Sequence, residues 1–436
     1  MAAGTPFSSL SPALSGAFTD GQSRFVDLDS VSGTIPGEPD GGLGPRFNSN
    51  SCGSCHAQPA TGGSSPNARA FPFIGSNPQV AVATLDGADN TIPYFVHPDG
   101  PIREARFVNV VANGRVTGTP DGGVHDLYTI TGRVDATNTP GPQGTPQTCT
   151  LAQPDFNQAR ALNNIIFRIP TPLFGAGLIE NISDATILAN MNAAAQNFPG
   201  LGISGQPNRS GNDGTITRFG WKAQNKSLEI FAGEAYNVEQ GVSNELFMNE
   251  RANPGETYPS SCIFNGTPED STNFTAGSPS DTVAFAAFMR FLDQPTPSPN
   301  TPGGAQSIAN GRRLFTSVVQ CAACHTPQLR TTASSLTPGL HYQAANLFSD
   351  LLIHHMGTGL ADGVSQGNAG PDQFRTAPLW GVGQRVFFLH DGRTSDILQA
   401  IEQHASSGSE ANAVIHRFNQ LSESQKQDLL NFLRSL

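Results

Sequence analysis

Two short stretches carry unusual chemistry. Cys52-Gly-Ser-Cys55-His56 and Cys321-Ala-Ala-Cys324-His325 are copies of one pattern, and they use four of the six cysteines. C-x-x-C-H is the attachment signature for a c-type haem. Two thiols reach two vinyl groups along one edge of the macrocycle, and the adjacent histidine swings under the ring to ligate iron. With this chain's composition, chance would supply roughly 0.002 copies of the pattern. A zinc site would need further Cys or His at close spacing. A redox C-x-x-C would sit in a βαβ context. Neither is present around these motifs. His56 and His325 are therefore expected as proximal iron ligands, with Cys52, Cys55, Cys321 and Cys324 holding two covalent haems.

The remaining cysteines, Cys149 and Cys262, lie in polar Pro/Gly/Thr-rich loops. They are either two separate thiols or a pair. Outside the cytosol pairing is the better expectation, because disulfides persist there and exposed thiols are a liability.

Elements must position these groups. Ile308–Phe315 predicts a short helix running into Cys321, and Ser422–Leu436 a closing helix with a Leu/Phe stripe capped by Ser422 and Gln425. The pair would bracket a cytochrome c-like unit at 305–436. A helix over Asp281–Leu292 would close a longer first unit, 1–295, and PTPSPNTPGG supplies the linker at 296–304. Residues 57–160 read as a loop-rich insertion with strands at Val80–Thr84 and Ala105–Val111, and helices are expected again near Ser183–Ala195 and Lys226–Val238. The expected fold is mainly α: two cytochrome c-like domains, one haem each, with a β-containing insertion in the first.

Composition removes other classes. The chain has 436 residues, 14% charged, with 47 Gly and 33 Pro, which favours long loops. Net charge is −11, so nucleic acid is not expected as a partner. No stretch approaches 18 apolar residues, so no membrane span is expected. With 27 Phe and 37% hydrophobic residues the chain is not a disordered one. The N-terminus shows no leader pattern. The haem motifs nevertheless predict a periplasmic or exported protein, with the chain being the mature form.

Several further stretches carry a resemblance. They are Gly42-Leu-Gly-Pro-Arg-Phe-Asn-Ser-Asn-Ser-Cys52, Arg168-Ile-Pro-Thr-Pro-Leu-Phe-Gly175, Arg218-Phe-Gly-Trp221-Lys-Ala, Val238-Glu-Gln-Gly241, Asp350-Leu-Leu-Ile-His-His-Met-Gly357, Phe374-Arg-Thr-Ala-Pro-Leu-Trp-Gly381 and Leu389-His-Asp-Gly-Arg393. In this order, and with two haem motifs, the chain resembles the bacterial di-haem cytochrome c peroxidase superfamily, closest to its di-haem oxidoreductase ("thiol oxidoreductase") branch. The resemblance covers most of 40–436 and is weakest in 57–160.

The resemblance implies a peroxidatic N-terminal haem and a high-potential C-terminal haem. Hydrogen peroxide would be the oxidant. A small donor protein, such as a monohaem cytochrome c or a cupredoxin, would supply electrons. Met356 matches the family's distal ligand of the second haem, with His354 or His355 as alternatives. Trp221 matches the tryptophan between the haems. Glu239 matches the catalytic carboxylate, which would take a proton from peroxide and return it to the leaving oxygen; Glu234 is the alternative. His390, Asp391 and Arg393 would bond around the second haem, Arg393 to a propionate. Arg168 and Arg218 have the same reading or a structural one. His97, His125, His341, His404 and His416 read as surface or structural.

Two departures matter. Asp155–Ile169 contains no histidine where classical peroxidases hold a distal one, so the first haem is expected to be five-coordinate at rest unless His97 or His125 reaches in. The family's calcium asparagine is Gly175 here, which leaves calcium a doubtful cofactor. Two other activities fit the same residues: oxidation of a different substrate by a di-haem enzyme, and plain electron carriage.

Overall fold

Each haem motif hangs on a crossed pair of helices, and in both pairs a glycine makes the crossing close. The computed structural model describes residues 3–66, 77–138, 149–333, 335, 337 and 339–436. The helices that matter here are α1 (Pro12–Val26), α2 (Pro78–Val82), α3 (Asp184–Asn197), α4 (Leu228–Ala235), α5 (Asp281–Phe291), α6 (Gly304–Arg313) and α7 (Glu423–Ser435). The strands that matter here are β1 (Glu104–Phe107), β2 (Asn109–Ala112), β3 (Arg115–Pro120), β4 (Ile165–Arg168), β5 (Ile353–His355) and β6 (Gln373–Arg375).

In the N-terminal half α1 crosses α5. Pro12 opens α1 and the Ser11 hydroxyl caps it. A Cβ on Gly21 would lie 2.1 Å from the Ala284 carbonyl oxygen, so only glycine lets these backbones meet. Phe18 and Phe25 of α1 pack on Phe288, and Phe25 also meets the His56 ring edge-on at 5.9 Å. In the C-terminal half α6 crosses α7 in the same way, and a Cβ on Gly311 would lie 2.1 Å from the Asp428 carbonyl oxygen. Ser422 and Gln425 form the expected capping box on α7. A π-helical turn, Leu314–Val318, continues α6 into the second motif.

The strands form two-stranded antiparallel ribbons, β1 with β4, β2 with β3 and β5 with β6. The fold is thus more mixed than the mainly helical expectation, with 32% helix and 14% strand. Ala105–Val111 does form strands, in β1 and β2. Val80–Thr84 does not. Asn77 accepts a bond from Gln79 N at 3.0 Å and Pro78 sits at the first helical position, so Val80–Val82 finish α2 and Ala83 and Thr84 turn away from it, despite the β-branched residues. Cys149 and Cys262 are joined by a disulfide and lie in the insertion's own core with Phe47, Phe95 and Tyr128. No helix of the described residues is long and apolar enough to cross a membrane.

Candidate functional site

Two cavities open on the two motifs. The first, of about 760 Å³, is lined by Cys52, Cys55 and His56 and also by Glu104, Glu239, Gln240 and Arg103. The second, of about 1530 Å³ including its mouth, is lined by Cys321, Cys324 and His325 and by Met356, Trp221 and Arg375.

Both motif histidines are prepared in the same way. His56 Nδ1 lies 2.9 Å from Gly63 O, and His325 Nδ1 lies 2.9 Å from Phe348 O. A carbonyl can only accept, so each Nδ1 carries the proton and each Nε2 keeps its lone pair. Burial lowers both imidazoles to about 4, so they stay neutral near pH 7, as a metal ligand must. The four motif thiols are in no disulfide.

Glu239 lies on the π-helical turn Tyr236–Gln240 that ends α4. Such widened turns recur at functional sites because they re-aim side chains. Here Glu239 and Gln240 both reach the first cavity. Glu239 shares a side-chain hydrogen bond with Glu104 of β1. Burial, then the Glu104 charge, holds the Glu239 carboxyl well above the usual carboxylate range. Glu104 goes the other way. Burial opposes ionisation, but the bond from Glu239 and the charges of Arg106 and Arg168 hold it below its ordinary value. Arg106 Nη2 is 3.3 Å from Glu104 Oε2. Glu234 is instead bonded to Asn225 and lies off the cavity wall.

Nothing singled out Glu104 beforehand. Strand alternation puts Glu104 and Arg106 on one face and the core residues Ala105 and Phe107 on the other. That pattern fits any half-buried strand. Neither His97 nor His125 lines the first cavity. His97 is exposed; His125 is buried, stacked 3.6 Å from Phe107 with Nε2 2.8 Å from Asp121.

A strap separates the cavities. Ile169 and Pro172 line the second, and Pro170 and Leu173 line the first. Trp221 Nε1 donates to Ile169 O at 2.8 Å, and Ile169 N donates to His390 O at 2.8 Å. His390 stacks on Phe374 with ring centroids 4.3 Å apart. Behind the strap, Asp362 binds Arg168 at 2.6 Å and Lys222 at 3.1 Å.

In the second cavity Met356 is partly buried in the wall that His325 shares. His354 is held at both nitrogens, by Asp350 at 3.0 Å and Glu410 at 2.8 Å. His355 is exposed and paired with Asp372. Met356 is thus the least encumbered of the three. His404, read from the sequence as surface or structural, is half-buried in this wall with Nδ1 2.7 Å from Ala400 O. Arg393 does not reach either wall; it binds Asp391 and Gly359 O. Arg375 and Arg385 line the second cavity instead. Arg218 is a structural anchor for Asp184 and the Ile182 carbonyl. Gly175 has φ +66 and faces the Trp380 ring, so it offers no side chain to a cation.

The sequence profile of the family described as "di-haem oxidoreductase, putative peroxidase" matches residues 121–436, well over half of the chain. The chain belongs to this family. It is accordingly an oxidoreductase of the di-haem peroxidase kind. No curated protein matches the sequence. Among solved structures, the diheme peroxidase BthA of Burkholderia thailandensis aligns at 16% identity and TM-score 0.29, over 73% of this chain and 94% of that one. A MauG-like protein associated with microbial copper homeostasis aligns at 15% and 0.27, over 58% and 89%. The hydrazine synthase of Kuenenia stuttgartiensis aligns at 19% and 0.26, over 40% of this chain, which spans 58% of that one.

The residues fit the family's haems. Both cavities have mostly apolar walls beside a motif with a neutral, oriented histidine. The Arg375 Nη1 group is buried with no partner among the described residues, and burial pulls Arg375 and Arg385 down to about 10. A buried guanidinium without an acid calls for a carboxylate, which a haem propionate would supply. Arg103 offers the first cavity a similar cation.

Proposed function

We propose that this di-haem oxidoreductase reduces hydrogen peroxide, with haem attached at Cys52 and Cys55 over His56 and at Cys321 and Cys324 over His325. The two glycine-crossed helix pairs support two cytochrome c-like units, 1–295 and 305–436, joined by the linker at 296–304. The observation that carries the reading is the contrast between the two cavities. Of the described residues lining the first, only His56 is a histidine, and its one methionine, Met289, lies on α5 one turn from Phe285, which packs on Phe25, the ring that meets His56. The other polar groups of its largely apolar wall are carboxyls, amides, serine hydroxyls and the Arg103 guanidinium. The second cavity instead holds Met356, His354, His390 and His404. The first suits an iron open to a small oxidant, and the second suits one capped by Met356, whose thioether favours reduced iron.

When bound, haem supplies the electrons and the Lewis-acid iron for O–O cleavage. The chain supplies proton handling and confinement. Glu239 reaches the first cavity and is the group that moves a proton from the oxygen that stays to the oxygen that leaves. The overall balance is H2O2 with two electrons and two protons giving two waters. Trp221, bonded to the strap that walls both cavities, is the bridge for electrons passing from the C-terminal to the N-terminal centre. The external reductant is a small donor protein, and the Cys149–Cys262 disulfide supports an exported setting.

Electron paramagnetic resonance of the oxidised holoprotein tests this reading. One high-spin haem is expected, with a Soret change on adding peroxide. A wholly low-spin spectrum with no response to peroxide would leave only electron carriage.

A further inference from the structure

We propose that Glu104 is the second half of a carboxyl pair with Glu239, and that the pair, rather than Glu239 alone, handles the peroxide proton. This rests on the peroxide reading above and adds a residue to it.

Both carboxyl groups line the cavity that holds Cys52, Cys55 and His56. They share a side-chain hydrogen bond. Two ionised carboxylates have no hydrogen to share, so this contact needs one proton between them. The surroundings decide where that proton rests. Glu104 is paired in the strand register with Arg168, and Arg106 lies 3.3 Å from its Oε2. The cations sit on the Glu104 side, so the negative charge stays there and the proton stays on Glu239. This agrees with the net shifts, since burial raises both groups but neighbours outweigh it at Glu104 and add to it at Glu239.

The consequence changes the order of proton movement. Glu239 rests as an acid and cannot accept a proton until it gives up its own. The peroxide proton moves to Glu239 as the Glu239 proton moves to Glu104. Both then return, and the proton ends on the oxygen that leaves as water. The pair finishes as it began. The two electrons that break the O–O bond come through the haem centres from the external donor, and two solvent protons complete the two waters. Glu104 acts through Glu239 and is therefore a positioning and proton-holding residue. It comes from β1 in the insertion, outside the residues that match the family profile.

Infrared difference spectroscopy of the oxidised holoprotein tests the pair without turnover. Wild type minus E239Q should show the carbonyl stretch of a protonated carboxyl group. In E104Q burial still keeps Glu239 protonated, but its partner is an amide instead of a carboxylate, so the band should remain and shift in frequency. An unshifted band in E104Q, or its absence from the wild-type difference, overturns the proposal. The second comparison needs no Glu104 variant and stands even if E104Q takes up no haem. Peroxide reaction followed at the Soret band should slow by roughly 10²-fold in E104Q and in E239Q, with the double variant no slower than either single one. Wild-type speed in E104Q also overturns it. If the wild type itself ignores peroxide, the peroxide reading fails while the infrared band still reports on the pair.

Discussion

Arg375 shows how a single buried charge reports on an absent counter-ion. Its Nε donates to Gly220 O at 3.0 Å, while Nη1 has no partner among the described residues. Beside a loaded haem this cation would oppose the positive charge of oxidised iron. Arg375→Met should therefore lower the potential of the C-terminal haem, by tens of millivolts on a scale where about 59 mV is tenfold for one electron. Spectroelectrochemistry reads it, and an unchanged potential would place the propionates elsewhere. Glu250 is a second case, away from both haem sites. Its Oε2 is buried without a partner among the described residues, and burial, then the Glu269 charge, push the carboxyl up to about 9. The folded state keeps a proton that the unfolded chain sheds near pH 4.5. Its contribution is therefore full below that pH and is lost as pH rises toward 9. Glu250→Gln removes this loss. It should match wild type in urea denaturation at pH 4.5 and exceed it by about 4–5 kcal/mol at pH 8. Equal pH slopes would refute the assignment. The haem motifs were legible because their chemistry is local: two thiols and a histidine within five residues. Glu104, Arg375 and His404 were not, because distant segments bring them to their cavities.

At the scale of elements, the two helix crossings carry the motifs and are tight enough to test. A methyl group on Gly21 or Gly311 would press on a carbonyl oxygen of the partner helix, at 2.1 Å in each case. Backbone atoms cannot turn aside as a flexible side chain can. Gly311→Ala should therefore cost about 1–3 kcal/mol or more by overpacking, and Gly21→Ala likewise, both read from urea midpoints of the holoprotein. A near-neutral Gly311→Ala would mean the helices can slide apart freely. The sequence revealed α5 and α7 through their apolar stripes, and α7 through its cap. It did not reveal α1, whose buried face is Phe18, Gly21 and Phe25 among polar neighbours, too thin a stripe to stand out. The segment Val80–Thr84 misled in the opposite sense, since its valines favour strand while Asn77 and Pro78 start a helix. Local preference lost to capping there, and to interhelical contact in α1.

Across the whole molecule, one carboxylate joins the segments that separate the two cavities. Asp362 is buried between Arg168, on the strand that leads into the strap, and Lys222, the neighbour of Trp221. Arg168 and Lys222 hold it below the ordinary carboxylate range against the burial that opposes them. Lys222 is itself pulled down to about 8 by burial, and its ammonium also donates to Gly370 O and Gln373 O. Removing Asp362 leaves two buried cations facing each other. Breaking such a group from one side typically costs about 3–5 kcal/mol, so Asp362→Ala should lose that much in urea denaturation. The strap should loosen with it, because Ile169 follows Arg168 and takes the Trp221 hydrogen bond. Electron equilibration between the haems should then slow in stopped-flow reduction, while the peroxide-binding spectrum of the N-terminal haem stays as in wild type. A variant that loses less than about 1 kcal/mol and transfers electrons at the normal rate would show that neither the triad nor the strap it anchors holds the two centres in register.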